Sequence, residues 1–257
     1  MLVDTHAHIG GGDTDEAEVI SDLEKGCPDR IVCASYDVAS SERSVLLARK
    51  HEKLYCAVGV HPSDSQRLTS DPCEKLFSLA SDRKNKVVAI GEIGLDYHYD
   101  DTDREMQKKW LTAQIALADE LKLPPMFHIR DAYEDMTAIF AENAGKLTRS
   151  GVMHCYSGSK ETALELSRKY DFYFSFSGVI TFKNAKKYPE IIRALPLSRL
   201  LVETDCPYVA PEPHRGEANK PVFVRFVAQK LAGILDMPYD EVVRITGENA
   251  ARIYGIK

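Results

Sequence analysis

The chain has 257 residues and a formal net charge of −6, from 33 basic and 39 acidic side chains. That balance excludes the global basic footprint of a protein that coats duplex nucleic acid, and leaves room only for a local basic groove. Hydrophobic residues are 44% and charged residues 28% of the chain, an ordinary globular composition, and no stretch approaches the roughly 20 continuous apolar residues that cross a bilayer.

The N-terminus lacks the basic segment and long apolar run of a secretory signal. The six cysteines (Cys27, Cys33, Cys56, Cys73, Cys155, Cys206) are scattered, with no C-x-x-C pair. Free thiols of this kind fit a reducing compartment, so the expected location is the cytoplasm. No membrane association and no obligate protein partner is implied.

In chain order, short apolar runs alternate with longer amphipathic stretches. The runs are 2–3, 30–35, 55–60, 87–90, 125–127, 151–153, 172–176 and 200–202. Several are too short for buried helices and are rich in Val, Ile and aromatic residues, which predicts strands buried on both faces. Helix starts fall between them. Asp71-Pro72-Cys73-Glu74 offers an N-cap followed by proline. Thr102-Asp103-Arg104-Glu105 reads as a capping box, and Trp110, Ala113, Gln114, Leu117, Ala118 and Leu121 then recur at helical spacing. Asp131-Ala132-Tyr133-Glu134 repeats the capping pattern. Eight strand–helix units in this length predict an α/β protein, a (β/α)8 TIM barrel, spanning 1–257 as a single domain with 238–257 as extra helix packed on the barrel. A doubly wound open sheet is the alternative, for which eight strands would be long.

In such a barrel the chemistry sits at the C-terminal ends of the strands. Five runs end in a potential metal ligand: His6 and His8, Glu92, His128, His154, and Asp205 in Glu203-Thr204-Asp205. Residues two apart on a strand point the same way, so His6 and His8 can both face the barrel axis. A His-x-His pair alone is weak evidence, because a strand-end histidine can be a satisfied core group and a strand-end acid a helix cap. Four histidines and two carboxylates converging on one small volume carry far more weight, since buried carboxylates are costly unless a cation neutralises them. A structural zinc site takes four ligands and a catalytic one three plus water. Six suit two ions about 3.5–4 Å apart that share a carboxylate. His6, His8 and Asp205 are assigned to one ion, His128 and His154 to the other, and Glu92 to both. The ligand chemistry suits Zn, Mn, Fe or Ni, and Mg less comfortably.

His61, in Gly59-Val60-His61-Pro62, is expected on the same face as a catalytic and substrate-contacting group. His98 and His214 are weaker candidates, and His51 is expected on the surface. Strand alternation is expected to turn Cys155 and Cys206 away from the axis as packing residues. Barrel phosphate sites form from the loops after strands seven and eight, which here carry Lys183, Lys186, Lys187, Arg215 and Lys220. Arg215 and Arg130 are the expected phosphate contacts. Tyr97, Tyr99, Tyr156, Phe176, Phe182 and Tyr208 are candidates for stacking on bases.

These residues resemble the TatD family of metal-dependent deoxyribonucleases, within the wider amidohydrolase-like barrels. The resemblance runs through Asp4-Thr5-His6-Ala7-His8, Gly59-Val60-His61-Pro62, Gly91-Glu92-Ile93-Gly94-Leu95-Asp96-Tyr97 and His128-Ile129-Arg130-Asp131-Ala132. It continues in His154-Cys155-Tyr156-Ser157-Gly158, Ser175-Phe176-Ser177-Gly178, Glu203-Thr204-Asp205-Cys206-Pro207-Tyr208 and Pro213-His214-Arg215-Gly216. It implies divalent-metal-dependent hydrolysis of phosphodiester bonds, with single-stranded DNA cleaved in exonuclease-like fashion as the expected reaction and nucleic acid as the partner. Ile93, Ile129 and Cys206 depart from the threonine, serine and alanine expected there, and residues 9–15 are unusually glycine-rich. None of these removes a ligand. An amidohydrolase acting on a small amide or lactone is the rival enzyme reading, because fold does not fix function. A metal-stabilised binding protein without catalysis is the rival from outside enzymology.

Overall fold

The computed structural model describes all residues except 11–13, 66 and 69, so the glycine-rich segment 9–15 lies partly outside the described residues. The first half of the chain runs β1 (Val3–Ala7), α1 (Glu16–Glu24), β2 (Arg30–Cys33), α2 (Val38–Lys50), β3 (Leu54–Val58), α3 (Pro62–Ser65), α4 (Cys73–Ser81), β4 (Val87–Asp96) and α5 (Arg104–Leu121). It continues β5 (Pro125–Arg130), α6 (Tyr133–Glu142), β6 (Val152–Met153), α7 (Lys160–Tyr170), β7 (Tyr173–Phe176), α8 (Tyr188–Ala194), β8 (Leu200–Val202), α9 (Val224–Leu235) and α10 (Tyr239–Tyr254).

All eight strands pair in chain order and in parallel. Beyond the strand ends, Ala7 bridges Cys206, the His8 N–H donates to the Cys206 carbonyl at 2.8 Å, and the Asp205 N–H donates to the His6 carbonyl at 2.9 Å. The last strand thereby meets the first, and the architecture is the expected (β/α)8 barrel.

Alternation along the strands separates two cores. Val3, Val32, Ala57, Ala89, Met126, Val152, Tyr173 and Leu201, one from each strand, share a cluster with Ala250, Tyr254 and Ile256 from the C-terminal segment. Their strand neighbours Ile31, Cys56, Ile90, Phe127, Phe174 and Val202 belong instead to the larger cluster under the helices. Both faces of the strands are buried, as their unbroken apolar runs require. The C-terminal segment therefore also closes the bottom of the barrel, with the Asn249 side-chain amide donating to the carbonyls of Leu197 and Leu200 at 2.8 and 2.9 Å.

Three local expectations change. Strand β4 continues past Ile90 to Asp96, which carries Glu92 inside a strand rather than beyond its end. The cap of α5 is Asp103, whose carboxylate accepts from the Met106 N–H at 3.0 Å, not Thr102. No side chain caps α6: Asp131 takes a φ of +53°, and its carboxylate faces His98 Nδ1 at 3.2 Å. Helix α5 has the expected buried face and adds two buried glutamines. Gln114 bonds both the N–H and the carbonyl of Val60, at 2.7 and 3.1 Å, and Gln107 does the same for Asp96, at 2.9 and 3.0 Å. Each grips the backbone beside a residue of the site, His61 and Asp96 respectively.

Candidate metal centre

Two glycines let β4 and β5 approach closely enough to bring Glu92 and His128 together. A Cβ at Gly91 would lie 2.5 Å from the Met126 Cβ, and one at Gly94, where φ is +157°, only 1.8 Å from the His128 carbonyl oxygen. Only glycine fits either position.

The six expected ligands converge. His6 Nε2 and His8 Nε2 are 3.3 Å apart, at 3.5 and 3.6 Å from Glu92 Oε2. Both lie 3.6 Å from Asp205 Oδ1. The other oxygen of Glu92, Oε1, is 3.0 Å from His128 Nδ1 and 2.9 Å from His154 Nε2, and those two nitrogens are 3.2 Å apart. One carboxylate thus divides its oxygens between two donor groups. Donors placed 2.0–2.2 Å from a tetrahedral ion sit about 3.3–3.6 Å from one another. His6 and His8 have that spacing from each other and from the oxygens of Glu92 and Asp205 without adjustment. The Glu92–His128–His154 group is drawn in slightly tighter, to hydrogen-bonding distance. The donor set therefore fits divalent-metal binding.

Each of these imidazoles is anchored through its far nitrogen, which decides the nitrogen it offers. His8 Nδ1 meets the Ala34 carbonyl at 3.1 Å, His154 Nδ1 meets Glu203 Oε1 at 3.3 Å, and His128 Nε2 meets Asp96 Oδ2 at 3.3 Å. His6 Nδ1 faces the Met126 thioether at 3.1 Å. Asp205 reaches the centre from a left-handed backbone (φ +59°) that aspartate tolerates. Asp4 stays outside the centre. It is fully buried and accepts from the Thr204 N–H and hydroxyl at 2.8 and 2.6 Å, stitching β1 to the segment that carries Asp205, and burial pushes its carboxyl up to about 8.

Electrostatics follow the crowding. Burial works against ionisation of Glu92, but the surrounding His154, His6 and His61 outweigh it and hold the carboxyl well below its usual range. Burial likewise opposes protonation of His154, and Glu92 and Glu203 together raise it well above the usual value. His61 behaves differently. Its Nδ1 accepts from the Ser63 N–H at 3.1 Å, so in the neutral ring the proton sits on Nε2, which points toward Glu92 Oε1 at 3.7 Å. A nitrogen carrying its proton cannot ligate a metal, which makes His61 a hydrogen-bond donor to the centre rather than a seventh ligand.

The centre opens into a cavity of about 860 Å³, within the usual range for small-molecule sites. His61, Arg130, Tyr99 and Tyr208 line it, as expected, and so do Tyr36, Arg67, Val179 and Val209, which no motif marked. Cys155 also lines it. Its φ of +40° breaks strand alternation and turns the thiol inward to Ser177 Oγ at 3.1 Å, contrary to the packing role expected of it. Cys206 is a fully buried packing residue.

Other candidates are placed elsewhere. Tyr156 and Phe176 are buried core, and Tyr97 donates its hydroxyl to Asp135 at 2.7 Å. Arg215 stacks over Phe182 at 3.7 Å, apart from the residues that line the cavity. Lys220 pairs with Glu18 at 2.6 Å, and His214 stacks on Phe223 with Glu217 at its Nδ1. Sequence reasoning overlooked Asp96 and Glu203 as anchors, although both stand in the motifs it quoted, as acids at the ends of β4 and after β8.

A parallel barrel whose C-terminal rim gathers four histidines and two carboxylates around one open cavity defines a metal-dependent hydrolase. The family model described as TatD related DNase matches residues 3–255, and the chain belongs to that family. It is 42% identical over 258 residues to the uncharacterized metal-dependent hydrolase YabD of Bacillus subtilis, covering all of both proteins. It is 37% identical over 264 residues to the uncharacterized metal-dependent hydrolase YcfH of Escherichia coli, covering 100% of this chain and 96% of that protein. The crystal structure of YJJV, a TatD homologue of Escherichia coli, superposes with a TM-score of 0.91 at 28% identity, over 100% of this chain and 98% of that one.

Proposed function

We propose that this hydrolase cleaves phosphodiester bonds with two divalent ions, and that its substrate is DNA, taken as a single strand and processed from an end. The observation that carries the reading is the division of Glu92 between two donor groups at the floor of an open cavity. His6, His8 and Asp205 would hold one ion, His128 and His154 the other, and Glu92 both. Such ions, Zn, Mn, Mg, Fe or Ni, would acidify a water molecule and neutralise charge on the phosphate and its leaving oxygen.

The chain's own groups supply the rest. Asp205 accepts the proton of the attacking water. It is ionised and so able to accept, because its neighbours His8, His154 and His6 outweigh the burial that opposes ionisation and hold its carboxyl below the usual value. His61, neutral and with its proton on Nε2, donates to a phosphoryl or departing oxygen. Arg130, exposed in the cavity beside Tyr99, supplies a fork-shaped donor for the phosphate. Tyr99 and Tyr208 offer faces on which flanking bases stack. Arg215 is the second phosphate contact, reached by nucleotides farther along the strand. Among the described residues no helix is long and apolar enough to cross a membrane. The six thiols are unpaired and support a cytoplasmic location.

Metal-loaded protein incubated with 3′- and 5′-labelled oligonucleotides under Mg, Mn or Zn tests the reading. Nucleotide release that starts from one labelled end is expected. No release, together with turnover of a lactone or cyclic amide, would transfer the centre to amide chemistry.

A further inference from the structure

Three of the four converging histidines turn Nε2 to the centre, whereas His128 turns Nδ1. An imidazole can offer either nitrogen, and the group behind it decides which. Behind His128 stands Asp96, the last residue of β4, with Oδ2 3.3 Å from Nε2. Asp96 is itself immobilised. Its Oδ1 accepts from the His98 N–H at 3.0 Å, and Gln107 bonds both its backbone N–H and its carbonyl. The anchors also differ in charge. His6 and His8 are backed by a thioether and a backbone carbonyl, both neutral, while His128 and His154 are backed by the carboxylates of Asp96 and Glu203.

We infer, on the two-metal reading above, that Asp96 is a positioning residue for one ion only. It orients His128 so that Nδ1 faces Glu92, and its charge strengthens that nitrogen as a donor. The ion held by His6, His8 and Asp205 has no such dependence.

Zinc titration against a competing chelator, with elemental analysis and the visible spectrum of the cobalt-substituted protein, distinguishes the two ions in the unmutated chain, Asp96→Asn and Asp96→Ala. Two ions are expected in the unmutated protein. Asp96→Ala should weaken one of them about 10–100-fold and change its cobalt bands, while leaving the other in place. Asp96→Asn keeps an amide oxygen that can accept from His128 Nε2–H, so it should fall between the two, and thermal unfolding of the metal-free variants checks that the fold survives. Unchanged affinity for both ions in both variants, or equal weakening of both, overturns the assignment of Asp96. A single ion in the unmutated protein overturns the two-metal reading instead.

Discussion

Oε1 of Glu92 lies 2.9 Å from Nε2 of His154, with both side chains almost completely buried. The contact leaves Oε2 free to face His6 and His8, so one carboxylate stands between two imidazole pairs. Without a cation, four imidazoles and the carboxylates of Glu92 and Asp205 are held within hydrogen-bonding to metal-ligand spacing of one another, with Glu92 buried, and a divalent ion is what neutralises such paired carboxylates.

Metal loading should therefore stabilise the fold as well as activate it. Chelator-treated protein is expected to lose all hydrolysis and to melt at a lower temperature. Restoring free metal to roughly a hundredfold above Kd should recover about 2.7 kcal/mol for each ion bound. Differential scanning calorimetry with elemental analysis measures both, and an unchanged melting temperature on loading would argue against a built site.

Asp205→Asn keeps the shape of the side chain and removes its basicity. The variant should lose about 10²–10⁴-fold in kcat with an unchanged circular dichroism spectrum. Full turnover by this variant would take Asp205 out of the proton transfer.

His61 links the site to acid stability. Burial, followed by the neighbouring His128, pushes its pKa down to about 3 from an ordinary 6.5. Between those values the unfolded chain binds a proton that the native ring refuses. This contribution to stability is present above pH 6.5 and is lost as pH falls toward 3. In metal-free protein, His61→Asn should flatten the decline in unfolding free energy by up to about 1.4 kcal/mol per pH unit within that window. Urea titrations at pH 7 and pH 5 read the difference, and parallel slopes would mean that the ring titrates as it does in water.

Gly94→Ala would drive a methyl group into the His128 carbonyl. The substitution should cost at least about 2 kcal/mol in urea unfolding and weaken metal retention, because β5 carries His128. A stable variant with full metal content would show that β4 can move aside.

Much of this was readable along the chain. Unbroken apolar runs announced strands buried on both faces, and their count announced the barrel. The acids and histidines at the run ends located the ligands, because a parallel barrel presents those ends on one face. Reading failed where a local rule met a special backbone. Cys155 obeys strand alternation on paper but sits at φ +40°, and Asp131 resembles a helix cap but takes φ +53°.

Sequence by itself determined which residues can ligate and on which face they gather, since strand periodicity and chain direction are local properties. Closure of the barrel decided the remainder. It chose which oxygen of Glu92 serves which pair, set Asp96 behind His128 and Glu203 behind His154, and gave His61 its donor nitrogen through Ser63. It also left Arg215 over Phe182, apart from the cavity lining. The contacts between β4 and β5, and between β8 and β1, come from the register and spacing of paired strands, which no single segment encodes.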